Sequence, residues 1–295
     1  MSFCYKCRKK ISGENHYGLH PNCFGEWFQC PPDATFSEVS RIKVTTAQKS
    51  VLTDSFLAGK FRKYTAVLDG KKYIWKVVED VYPNLPRVEF VSNQIASLLG
   101  LNIPVFFFLD VEGKDCFVTK NFLDETRWQK LTHIYHYISG EDEFNVDKLS
   151  KVIFEITKKP QDVKMFYQML LFDALIGNND RHGRNFGILS VGKKNRLAPI
   201  YDNSSNIGIE DMLGADLSPR GAIRTSSTDE PTMKDYVIEL KQHDDEAMSA
   251  LNTFKKKCNI EEIKNLIKKS FLDKKVKEAM MRLITKRHGE FCEYF

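Results

Sequence analysis

The sequence predicts an α+β protein in two lobes, preceded by a short N-terminal knuckle. Residues 33–124 alternate apolar and polar side chains at the period of strands and hold a single helical stretch. From residue 125 to 295 the apolar positions recur mainly at helical spacing. Residues 1–32 stand apart through paired cysteine and histidine residues. The chain therefore divides into a Cys/His segment, a small β-rich N-lobe with one helix, and a mostly helical C-lobe.

In the first segment, Cys4 and Cys7 form a CxxC pair, and His20 and Cys23 form an HxxC pair after 12 intervening residues. Each short pair can supply two ligands from one turn, so Cys4, Cys7, His20 and Cys23 are candidate zinc ligands. His16 and Cys30 are spare candidates, and reduced thiols packed under the main domain are the alternative. The Pro-Pro-Asp run at 31–33 reads as a boundary. Lys63 to Val78 alternates on both sides of Asp69-Gly70, a hairpin signal. Val88, Val91, Ile95, Leu98 and Leu99 then follow helical spacing, with Pro86 suited to the first turn and Gly100 to the stop. Residues 104–122 read as strand, turn, strand, turning at Glu112–Asp115. In the C-lobe, Met165, Met169, Phe172 and Ile176 mark a buried helix. Ile260, Ile263, Leu266, Ile267 and Phe271 mark an amphipathic one.

At 295 residues and 42% hydrophobic, the chain can bury a sizeable core. No apolar run approaches the ~18 residues that span a bilayer, and the start lacks a signal-peptide core. A cytosolic protein without membrane contact is expected. Seven cysteines without an export signal argue against a disulfide framework. Net charge is +5, and it concentrates in Leu251–Phe295, with 12 Lys/Arg against 6 Asp/Glu. A solvated helix face explains such a segment, and docking of nucleic acid or an acidic partner is the alternative.

A small sheet with one helix ahead of a helical lobe is a protein-kinase-like layout. Phosphoryl transfer needs held phosphates, placed magnesium and an oriented hydroxyl. Lys76 lies in the apolar stretch YIWKVV on the third strand, where a lysine needs a partner. Glu89 follows 13 residues later, in the expected first turn of the helix. Asp180 and Asn185 have the spacing of a catalytic loop, with Asp180 as proton acceptor and Asn185 as magnesium ligand. Asp202, beyond a strand-like segment and a turn, supplies the second metal oxygen. Ser55 to Lys63 occupies the place of the loop over ATP phosphates, with Gly59 giving close backbone approach and Lys60 and Lys63 adding charge. His182 reads as a supporting residue that bonds loop backbone, with a phosphate contact as the alternative.

These stretches resemble the HipA family of bacterial serine/threonine kinases, the toxins of toxin–antitoxin modules. FDALIGNNDRHGRNFGIL resembles the family's catalytic loop, LAPIYDNSS its metal-binding segment, and VEFVSNQIASLLGLNIP its helix and following strand. FVTKNFLD resembles its hinge, which brings Lys120 to the ATP site, and the N-terminal Cys-containing stretch resembles that of small, HipT-like members. The resemblance implies ATP and Mg2+ as cofactors and autophosphorylation in the phosphate loop. Ser55 is the nearest candidate for that modification and Thr53 the fallback. It also implies a protein substrate such as an aminoacyl-tRNA synthetase, and an antitoxin partner through which DNA is contacted. The phosphate loop departs from the family pattern: Ala58 stands at the second serine position and the glutamine is missing. The family's long N-terminal subdomain is not evident.

DRHGRN also resembles the loop of phosphoinositide kinases, but the segment after Asp202 is acidic. It carries Glu210, Asp211, Asp216, Asp229 and Glu230 against Arg220 and Arg224, which anionic lipid would repel. Two further alternatives are a bacterial effector kinase acting on host proteins and a zinc-knuckle nucleic-acid-binding protein. The latter gives no reason for Lys76, Glu89, Asp180, Asn185 and Asp202 to fall in this order.

Overall fold

The structure is a computed structural model that describes residues 3–42, 63–78, 80, 82–123, 129–207 and 220–295. Ser55 and Gly59, with Thr53, Lys60, Glu210, Asp211 and Asp216, lie outside the described residues.

A short helix, α1 (Pro21–Phe28), precedes an antiparallel sheet. Its strands are β1 (Ser37–Arg41), β2 (Lys63–Leu68), β3 (Lys71–Val77), β4 (Phe106–Val111) and β5 (Lys114–Lys120), in the order β1-β2-β3-β5-β4. The β2–β3 hairpin turns at Asp69-Gly70, both at positive φ (49° and 69°), a conformation that Asp tolerates and Gly adopts freely. Between β3 and β4 runs α2 (Leu85–Leu98), with proline in its first turn, and Gly100 at φ 71° turns the chain out of it.

The sheet is apolar on both faces, so it needs two covers. Tyr73, Trp75, Phe107, Leu109 and Val118 share a core with Cys4, Leu19, Phe24 and Phe28 of the N-terminal segment. On the other face, Phe108 and Phe117 pack against Phe90 of α2. Tyr73, Trp75 and Val77, two apart, face the aromatic core, so Lys76 between them points to the opposite, α2 side.

The C-lobe contains α3 (Val146–Thr157), α4 (Pro160–Ile176), α5 (Met233–Leu240), α6 (Asp245–Lys257), α7 (Ile260–Lys269) and α8 (Lys274–Tyr294). Helix α4 is buried on all sides, including the stripe Met165, Met169, Phe172 and Ile176, and Gly177 closes it in the left-handed region (φ 70°). One expectation is corrected here. Phe271 lies beyond α7 and packs against Tyr5 and Phe108, because α7 stops at Lys269. The mostly helical C-lobe also holds a three-stranded antiparallel sheet, β6 (Gln129–His133), β7 (Gly187–Val191) and β8 (Lys194–Leu197), in which β7 takes up the strand-like segment before Asp202.

Candidate active site

Two carboxylates meet on one buried lysine. Lys76, 7% exposed, places Nζ 2.5 Å from Glu89 Oε1 and 2.6 Å from Asp202 Oδ1. A second cation, Lys63 at the start of β2, puts Nζ 3.3 Å from Asp202 Oδ2. Glu89 lies in the second turn of α2 rather than the first, which lifts its carboxylate toward β3. Burial alone would lower the Lys76 pKa, but Asp202 and then Glu89 outweigh it, so the ammonium is held above its usual range. Burial alone would raise Asp202, yet Lys63 and Lys76 hold it well below the ordinary carboxylate range. For Glu89, burial and the neighbouring Asp202 carboxylate prevail over Lys76 and push the carboxyl up. Its Oε2 is buried without a hydrogen-bond partner among the described residues. Asp202 is held at φ 54° on the segment leaving β8.

The loop after α4 is organised by Arg181, which is 1% exposed. Its guanidinium donates to both oxygens of Asp173 at 2.8 Å, to the carbonyl of Asn185 at 3.0 Å and to that of Tyr201 at 2.5 Å, and to Asn203 Oδ1 at 2.8 Å. One buried side chain thus fixes the backbone of Asn185 beside the backbone that carries Asp202. The chain of bonds continues. Asn203 Nδ2 donates to Asn93 Oδ1 at 3.0 Å, and Asn93 Nδ2 donates to the Glu89 carbonyl at 2.8 Å. Helix α2 and the loop are therefore joined by one polar network.

Asp180 is half-buried. Its amide donates to Asn178 Oδ1 at 3.1 Å, and its carbonyl accepts from Asn185 Nδ2 at 2.6 Å and from the His182 amide at 2.9 Å. The Asn185 amide nitrogen thereby holds the loop, which leaves the side-chain oxygen as its ligand atom. His182 accepts the Arg184 amide on Nδ1 at 3.1 Å, the backbone bond expected of it. Burial lowers its pKa to about 4, so the ring is neutral and Nε2 carries the proton. That Nε2 is buried with no partner among the described residues.

The structure thus brings Lys76, Glu89 and Asp202 together and fixes Asn185 and Asp180 on the adjoining loop. It does not bring the Lys120 side chain into this network. Lys120 ends β5 exposed, with its amide donated to the Val105 carbonyl at 2.8 Å. Sequence reasoning missed Arg181, Asp173, Asn93 and Asn203. Asp173 carried a usable signal, a charged residue inside the apolar run MLLFDALIG, the same signal that exposed Lys76. Asp202 and Asn185 are the residues that could hold a divalent cation here. Both offer oxygen, and the Asp202 carboxylate already draws two ammonium groups, which fits a hard cation such as magnesium.

A second cluster lies on the far side of the sheet. Ligand atoms of Cys4, Cys7, His20 and Cys23 fall within 4.8 Å of one another. Burial would raise the Cys4 pKa, but backbone N–H groups of Cys7, His20 and Lys6 facing its sulfur lower it to about 6. Burial and the crowding thiols Cys4 and Cys7 push Cys23 up to about 12. His16 and Cys30 are not in this cluster; His16 Nε2 pairs with the Ala34 carbonyl at 2.8 Å.

Comparison with known proteins adds the family. A curated Haemophilus influenzae protein with a provisional kinase name is 25% identical over 235 residues, covering 68% of each chain. The Helicobacter pylori serine/threonine-protein kinase CtkA is 31% identical over 133 residues, 42% of this chain and 41% of CtkA. The crystal structure of an H. pylori CtkA, described as a proinflammatory kinase, superposes with a TM-score of 0.64 at 17% identity, covering 82% of this chain and 93% of that one. HipA of Shewanella oneidensis MR-1, solved with HipB and operator DNA, superposes at 0.57 and 16% identity, covering 88% and 72%. Both superpositions carry the two-lobed fold and nothing further. Other curated relatives are matched over about half of their length or less. Residues 43–285, spanning β2 to α8 and every residue of the Lys76–Asp202 site, match the HipA-like C-terminal domain, and the chain belongs to that family.

Proposed function

We propose that this chain is an ATP- and magnesium-dependent protein kinase that phosphorylates serine or threonine. The observation that supports it is the buried Lys76, shared between Glu89 of α2 and Asp202 of the post-β8 segment, beside the Asp180–Asn185 loop. Glu89 and Asp202 orient an ammonium suited to nucleotide phosphates. Lys63 adds a second charge at the same place. Asp202 and Asn185 would hold magnesium, which supplies charge neutralisation across the phosphate oxygens. Asp180, on a loop fixed by Asn178, Asn185 and Arg181, accepts the proton of the attacking hydroxyl.

The serine/threonine assignment is supported by the curated name of CtkA, and the toxin–antitoxin role by the HipA–HipB–DNA assembly of the Shewanella relative. On that reading the partners are an antitoxin, DNA through it, and a protein substrate, with an aminoacyl-tRNA synthetase as the first to examine. Ser55 remains the proposed autophosphorylation site. The test is to incubate the purified chain and its Asp180→Asn variant with Mg·ATP and a cell lysate, then map new phosphosites by mass spectrometry. The variant should keep the circular dichroism of the parent and lose about 10²–10⁴-fold in phosphate transfer. Equal activity in the two proteins would remove Asp180 from the chemistry.

A further inference from the structure

The N-terminal segment is not spent on the active site, yet its four soft ligands converge. Cys4 and Cys7 sit on one tight turn, in which the Arg8 amide donates to the Cys4 carbonyl at 2.9 Å. His20 is the residue before α1, and Cys23 lies one turn into it. Cys7 Sγ is 3.5 Å and Cys23 Sγ 3.8 Å from the same atom, His20 Nδ1. Tetrahedral zinc with Zn–S of about 2.3 Å and Zn–N of about 2.0–2.1 Å would separate sulfur and nitrogen by about 3.6 Å.

The protonation of His20 decides between a metal and thiol hydrogen bonds. His20 Nε2 lies 3.1 Å from the Lys10 carbonyl, which can only accept, so Nε2 carries the ring proton. Nδ1 then offers one lone pair, and two thiols cannot both donate to it. A ring N–H donated to a backbone carbonyl, with the other nitrogen turned to a group of thiols, is how metal-binding histidines are oriented.

What this turn does follows from the residues within it. Tyr5 lies between the two cysteines and Arg8 follows the second. The Tyr5 ring packs edge-on against Phe108 of β4 at 4.9 Å and against Phe271 at 4.8 Å. The Arg8 guanidinium sits 3.4 Å from the Phe271 ring centre. Tyr5 also donates its hydroxyl to Asp115 of β5 at 3.1 Å. Asp115 accepts from Arg87 of α2, whose other end reaches Asp273 at 3.4 Å. Phe271 and Asp273 belong to the α7–α8 junction of the helical lobe.

We propose that Cys4, Cys7, His20 and Cys23 bind a structural zinc ion, and that the metal fixes the turn whose Tyr5 and Arg8 clasp Phe271, stapling the sheet to the α7–α8 junction. This goes beyond the kinase reading and does not depend on it, because the cluster lies on the opposite sheet face from Lys76.

The experiment uses the full chain. Zinc is measured by elemental mass spectrometry after dialysis, and hydrogen exchange of residues 270–273 is followed with metal bound, after chelation, and after zinc is returned. One zinc per chain is expected, with loss in Cys23→Ala. Chelation should speed exchange at Ser270 and Leu272, whose amides bond the Ile267 carbonyl and the Ser270 hydroxyl, by about tenfold or more, and added zinc should reverse it. Because Cys23→Ala could misfold, Phe271→Ala is the second variant: it should keep its zinc and exchange fast at this junction whether or not metal is bound. A chain that carries no zinc, or that holds these cysteines as disulfides, overturns the site. A chain that binds zinc but shows unchanged exchange at 270–273 on chelation overturns the staple.

Discussion

Burial holds the His182 imidazole at a pKa of about 4, despite the pull of the nearby Asp202 carboxylate. In an unfolded chain it would titrate near 6.5. Between those values the unfolded state binds more protons, so stability falls as pH drops from about 7 toward 4. His182→Asn removes the titration and keeps an acceptor for the Arg184 amide, because the asparagine oxygen can take the place of Nδ1. Urea denaturation at pH 7 and pH 5 should show the parent losing on the order of 2 kcal/mol more than this variant. Equal losses would mean that the ring is open to water. Asp202 acts in a lower window. Its depressed carboxyl contributes stability present above about pH 4 and lost as pH falls below it. Among site residues, Lys76 was legible because a lysine between Ile74, Trp75, Val77 and Val78 needs a counter-charge. Arg181 was not legible, because arginine in a run of Asn, Asp and Gly reads as solvated loop.

Two β-hairpins and helices α2, α4 and α7 were readable from periodicity, since each has a face or stripe in a core, whereas α3, α6 and α8 were not read. Strand β6 was not. Its sequence, QKLTH, has no buried position, and it exists because its backbone pairs with β7. The same limit hid the polar network of the loop after α4, where the ordering force is hydrogen bonding between residues up to 110 apart in sequence. Arg181 is the test of that loop. Arg181→Lys keeps the charge but lacks the planar fork, so it cannot hold Asp173, Asn185, Tyr201 and Asn203 together. Buried acceptors would be left unpaired, at a cost on the order of 3 kcal/mol. Denaturant unfolding should report that loss, and phosphate transfer should fall with it, because Asn185 and Asp202 would no longer be held side by side. A variant as stable as the parent would show that the network is dispensable.

The basic C-terminal segment resolves into the end of α6, α7 and α8. Helices α6 and α7 place Asp245, Glu246, Glu261 and Glu262 in their first turns and Lys255, Lys256, Lys257, Lys268 and Lys269 in their last. That arrangement opposes each helix dipole. Their apolar faces, with those of α8, enter the main core through Leu251, Phe254, Ile263, Ile267, Leu283 and Ile284. The terminal lysines of α6 and α7 therefore follow from helix electrostatics, whereas α8 opens on Lys274, Lys275 and Lys277 with no acidic residue in its first turn, and the shared chemistry lies where the sheet and the helical lobe both supply groups. Lys76 comes from the sheet and Asp202 from the segment beyond β8, so a nucleotide bound between them ties the two parts together in the folded state only. At 100 times its dissociation constant such a ligand adds about 2.7 kcal/mol, a rise in melting temperature of about 5 °C for a chain of this size. Thermal melts should show that rise with Mg·ATP and a smaller one with ATP alone. Asp202→Asn should abolish the magnesium-dependent part, because the remaining amide lacks the charge that holds the ion. If the parent and this variant shifted equally, the nucleotide would be bound elsewhere and Asp202 would be only a partner of the two lysines.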